Sequence, residues 1–149
     1  MSDASTGGLL TPQDLKKLAE EVENARLQEQ LARRRKEEEE AVAAERAFME
    51  RELDTGPKAL EWLNRKVRHA VEQGRTEVML LKFPARFCAD HGRAINNFDP
   101  DWPDSLTGLA RRAYQAFDQY LKPVGYKLHA QVLNYPDGNL GDVGLFLSW

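Results

Sequence analysis

Between Pro12 and Gly56 the chain holds neither glycine nor proline, and the interval is dominated by Ala, Leu, Glu, Lys, Gln and Arg. These residues lose little freedom in a helix, so the stretch favours a single regular conformation. Its start is marked by Thr11 as N-cap, Pro12 at the first helical position and Asp14 three residues after the cap. That is capping-box spacing, and Leu10 and Leu15 have the spacing of a hydrophobic staple across the same turn. One helix from about Pro12 to Leu53 is expected. At about 1.5 Å per residue it would run to roughly 60 Å, longer than a domain of about a hundred residues is wide, so part of it is expected to project or to meet a partner.

Charge separates this stretch from the rest. Residues 1–55 carry a net −5 and residues 56–149 a net +2, which suggests a disordered start and long charged helix over 1–55 and a small globular domain over 56–149. In the middle of the helix, Arg33-Arg34-Arg35-Lys36 precedes Glu37-Glu38-Glu39-Glu40. Each base is expected to meet an acid four residues later, making the segment a solvated strut. Leu15, Leu18, Val22 and Ala25 follow the spacing of a coiled-coil seam, but the register then meets Glu29, Ala32, Lys36 and Glu39. Any coiled coil is therefore short. This first patch, with Leu27 and Leu31 nearby, is expected to associate with another copy or another protein. A second patch, Ala41, Ala44 and Phe48 with Val42, Met49 and Leu53, is expected to dock on the chain's own domain.

Asp54-Thr55-Gly56-Pro57 is expected to end the long helix, since glycine suits the position past a helix and proline cannot extend it. A second helix follows over Pro57–Gln73, with Leu60, Leu63, Val67, Ala70 and Val71 as its apolar stripe and Gly74 as its stop. Thr76–Phe83 reads as a strand apolar on both faces, as a central strand would be. Pro84 to Pro103 has no period. Leu106, Leu109, Ala110, Ala113, Phe117 and Leu121 then mark a third helix, and Tyr126–Asn134 with Val143–Trp149 a closing hairpin around Pro136-Asp137-Gly138. The expected class is α+β: the long helix, then a small two-layer α/β domain in the order α-β-α-β-β. Its three-stranded sheet is expected to be mixed, with the first two strands parallel if they are neighbours.

Few residues carry a chemical signal. Cys88 is the only cysteine, so no internal disulfide and no cysteine-rich zinc site is available, which fits a reducing, cytoplasmic setting. With His91 three residues on and Asp90 between them, Cys88 could form a nucleophile and base, but this spacing is no signature. No metal-ligand or phosphate-loop spacing is present, so no cofactor or metal is expected. The opening residues lack the basic and apolar regions of a secretory signal, and no apolar run is long enough for a membrane span. Phe98 and Trp102 sit in an acidic, proline-rich loop that could present them to a protein partner, although Trp102 can equally plug the core while Asp101 or Ser105 caps the next helix. Lys58, Arg65, Lys66, Arg68, Arg75 and Arg111-Arg112 could face phosphates, but Glu61 and Glu72 interleave with the first group and the acidic balance disfavours nucleic acid. The reading is thus a non-enzymatic interaction or scaffold protein working through Leu15, Leu18, Val22, Leu27, Leu31 and Trp102, by self-association or by capture of a protein partner. A small nucleic-acid-binding regulator and a small enzyme built on Cys88 and His91 are the alternatives.

Overall fold

The computed structural model describes residues 7–149; residues 1–6, the first part of the expected disordered start, lie outside them. The chain divides into two units between Ala44 and Glu45. Helix α1 runs over Pro12–Glu50 and crosses that division. Its capping box forms as the sequence dictates: the Asp14 amide donates to Thr11 Oγ1 at 3.1 Å and the Thr11 amide to Asp14 Oδ2 at 3.0 Å. The charged run behaves differently from expectation. Arg33 meets Glu29 four residues earlier, at 3.9 Å, rather than Glu37 four residues later. An acid placed N-terminal to its base is the better helical orientation. Among the described residues, Arg34, Arg35, Lys36 and Glu37–Glu40 form no ion pair.

The helix ends at Glu50, before Leu53, so Asp54–Pro57 is not its stop. Arg112 donates to the Arg51 carbonyl at 3.0 Å, which satisfies a carbonyl just past the helix. Gly56 instead caps helix α2, Pro57–Glu72, after Asp54 Oδ1 accepts from the Gly56 amide at 2.8 Å. At its far end the Gly74 amide donates to Val71 and the Arg75 amide to Ala70, at 2.9 and 2.8 Å. This paired closure fixes the backbone at Arg75.

Three strands follow, β1 (Glu77–Pro84), β2 (Lys127–Val132) and β3 (Asp142–Ser148), with a short helix α3 (Arg93–Asn96) and a longer helix α4 (Gly108–Ala116) between the first two. The expected mixed sheet is replaced by a fully antiparallel one in the order β1-β3-β2. The strand expected at the centre, β1, lies at an edge. The physical reason lies in β3: Val143, Leu145 and Leu147 are all 0% exposed, a degree of burial that suits the strand with neighbours on both sides. β1 looks apolar on both faces because its register with β3 slips between Met79 and Leu81. The extra residue lets Val78 and Phe83, five positions apart, both face the core.

The core of the Glu45–Trp149 unit combines Phe48 with Phe83, Phe87, Cys88, Ile95, Leu106, Leu109 and the inner face of the sheet. The Phe48 ring lies 5.4 Å from Phe83 and 4.8 Å from Phe87. Of the second apolar patch, Phe48 is buried and Met49 half-buried, while Val42 and Leu53 are exposed. Among the described residues no helix is long and apolar enough to cross a membrane.

Candidate functional site

In the unit up to Ala44, helix α1 leaves Leu15, Leu18, Val22, Leu27 and Leu31 between 48 and 54% exposed. They do not form one surface. At about 100° per residue, Leu27 and Leu31 lie on the opposite side of the helix from Leu15 and Val22. Val42, also exposed, is on the Leu31 side. Leu31, Arg35, Glu38 and Val42 follow the four-three-four spacing of a coiled-coil seam.

Within the unit from Glu45, Trp102 is half-buried and meets Tyr114 edge-on at 5.8 Å, so it is a packing residue; the residue its loop exposes is Phe98, at 84%. Neither Asp101 nor Ser105 caps α4: Ser105 Oγ donates to the Trp102 carbonyl at 2.7 Å, and α4 starts from Thr107 without a side-chain cap. Cys88 is buried, whereas His91 is exposed. Burial pushes the Cys88 thiol from its ordinary 9.0 up to about 11, the Asp90 carboxylate adds to the rise, and a hydrogen bond with Ser105 works against it. A nucleophilic cysteine needs the opposite shift. In the folded chain at pH 7.5, iodoacetamide should therefore modify Cys88 at least about a hundredfold more slowly than in the unfolded chain, and equal rates would show the thiol to be accessible. Because the folded chain holds this proton more tightly, its contribution to stability is complete below pH 9.0 and is lost as pH rises toward about 11. Among the described residues no three His, Cys, Asp or Glu side chains converge as metal ligands.

A more coherent site lies between α2 and β1. Trp62, Arg65, Lys66, His69, Arg75, Val78 and Met79 line an open groove of about 500 Å³. The spacing 62-65-66-69 puts four of these on one face of α2, and the closure after α2 brings Arg75 to the same groove. Every titratable lining side chain is basic. Glu61 and Glu72 flank Arg65 on α2 without lining the groove, and among the described residues no carboxylate forms an ion pair with Arg65, Lys66 or Arg75. Lys66 Nζ donates to the Met79 carbonyl at 3.2 Å and lies 5.2 Å above the centre of the Trp62 ring.

The groove continues onto the outer face of the sheet. Met79 pairs across the ladder with Phe146, and Phe146 with His129. The Phe146 and His129 rings stack 5.1 Å apart with only 10° between their planes. Gly144 makes room for this: a Cβ there would lie 2.8 Å from the Phe146 ring. On either side of this row stand Lys82 and Gln131, and Glu77 and Lys127. Of the two acids at positions of this face, Glu77 is 3.5 Å from His129 and Asp142 stands at the far end, opposite Pro84. Sequence reading missed this assembly because its members come from α2 and all three strands; the helical spacing of Trp62, Arg65, Lys66 and His69 was the available signal. Comparison with family models, curated protein sequences and solved structures finds no match for this chain.

Proposed function

We propose that the chain is a non-enzymatic interaction protein whose long helix pairs with a second copy of itself in antiparallel orientation, so that one assembly carries two α/β domains. The observation that supports this reading is the symmetry of the central charged run. A two-fold axis between Lys36 and Glu37 sets Arg35 of one copy opposite Glu38 of the other, and the exposed Leu31 opposite Val42. The basic half of each run then lies beside the acidic half of its mate. A parallel pair would set Arg35 on Arg35 and Glu38 on Glu38, a like-charge arrangement that opposes association. Among the described residues Arg35 and Glu38 form no intrachain ion pair that would compete.

The seam is small, with Leu–Val layers flanking central Arg–Glu pairs, and exposed ion pairs are individually weak and screened by salt. Association should accordingly be concentration-dependent and weaken as salt rises. Sedimentation equilibrium should show the mass rising from 17.0 kDa toward twice that value. Glu38→Arg, which sets a second arginine against Arg35 of the mate in the antiparallel pair, should weaken association about tenfold or more while leaving helix content intact. A mass that stays monomeric at all concentrations would refute the reading. Leu15, Leu18 and Val22 lie outside this seam.

A further inference from the structure

We propose that the groove between α2 and β1, together with the outer face of the sheet, binds single-stranded nucleic acid. Single strands are held sequence-independently by a positive groove that follows the phosphates and by aromatic rings that accept the bases. Both elements are present and contiguous. Arg65, Lys66, His69 and Arg75 line the groove without an acidic neighbour in its wall. Trp62 is 43% exposed at its edge, and Met79 joins it to the stacked pair of Phe146 and His129 on β3 and β2. Lys82 and Lys127 extend the positive charge along the same face, while Glu77 is engaged with His129.

The apolar floor of Val78, Met79 and Trp62 selects for a ligand with flat apolar groups between its charges. A simple polyanion would use only the rim. A double helix presents its phosphates but keeps its bases stacked inside, so the aromatic platform would go unused. Net charge concealed this surface in the sequence, because Glu61 and Glu72 balance the bases of α2 and flank Arg65 on the helix, yet neither lines the groove. The inference does not rest on self-association: all its residues lie in the unit from Glu45.

The test is fluorescence anisotropy with the full chain and fluorescein-labelled single-stranded RNA and single-stranded DNA, with the matching duplexes, a phosphorylated peptide and phosphatidylserine vesicles as separate arms. Single strands should bind in preference to the other three. The slope of log affinity against log salt should be near about −2, as three phosphate contacts at roughly 0.7 each require. Trp62→Ala should lower affinity about tenfold or more, with Trp62→Phe retaining most of it. Arg65→Glu combined with Arg75→Glu, both exposed positions, should abolish most binding with an unchanged circular dichroism spectrum. Comparable affinity for RNA and DNA would place recognition in bases and phosphates, and a strong preference for RNA would add the 2′-hydroxyl; either supports the proposal. Absence of single-strand binding at low salt, binding indifferent to Trp62→Ala, or equal capture of duplex, phosphopeptide or vesicles would overturn it. Glu38→Arg should bind as the parent does, which separates this result from the assembly reading.

Discussion

A chain beginning at Glu45 should unfold in urea with the domain stability of the full chain, whereas one beginning at Pro57 should lose about 3–5 kcal/mol or more. The difference arises from Phe48. Although it belongs to the long helix, its ring is 9% exposed and fills the space between Phe83 and Phe87. Removing a buried phenylalanine forfeits its transfer free energy and leaves a cavity that neighbouring rings fill only in part. The shorter chain also loses half-buried Met49, and Arg112 loses the Arg51 carbonyl. Phe48→Ala in the full chain should reproduce most of the loss without removing the helix. Equal urea midpoints for the two truncations would show that the end of α1 is dispensable to the domain.

Gly108→Ala should be nearly as damaging. Gly108 has φ of +53°, in the left-handed region, where a side chain costs about 1–2 kcal/mol. A Cβ would also lie 2.8 Å from the Phe48 carbonyl oxygen and 2.9 Å from Met49 Cα. Those are backbone atoms at the end of α1 and cannot rotate away, so overpacking adds about 1–3 kcal/mol. A combined loss of roughly 2–5 kcal/mol should appear as a lower urea midpoint with unchanged slope. A loss below about half a kcal/mol would mean that α1 and α4 separate easily, and would contradict the packing described for Phe48.

The parts of the fold that depend on local chemistry were legible in the sequence. The Thr11–Asp14 box and the stop of α2 at Gly74 rest on residues within a few positions of one another, and the closing hairpin joins strands that follow each other directly in the chain. What escaped was set by distant partners. The slip at Leu80 makes an edge strand resemble a buried one, and only pairing with β3 reveals it. The carbonyl just past α1 is met by Arg112, sixty-one residues later, and Gly56 proved to start a helix. The candidate site followed the same rule. Individual basic and aromatic residues were visible, but the sheet order that places Met79, Phe146 and His129 in one row was not. The leucines of α1 were visible as well, yet grouping them by proximity along the chain hid the fact that Leu27 and Leu31 face away from Leu15 and Val22.

The most direct test of antiparallel pairing is to exchange the central charges, Arg35→Glu with Glu38→Arg, and to mix this variant with the parent in native mass spectrometry. In the antiparallel arrangement the exchanged chain again sets opposite charges against each other and should pair with itself as well as the parent does. Mixed pairs would set arginine against arginine at one crossing and glutamate against glutamate at the other, so each chain should form pairs only with its own kind. Abundant mixed pairs, which a parallel seam would favour, or monomers alone at every concentration, would contradict the account.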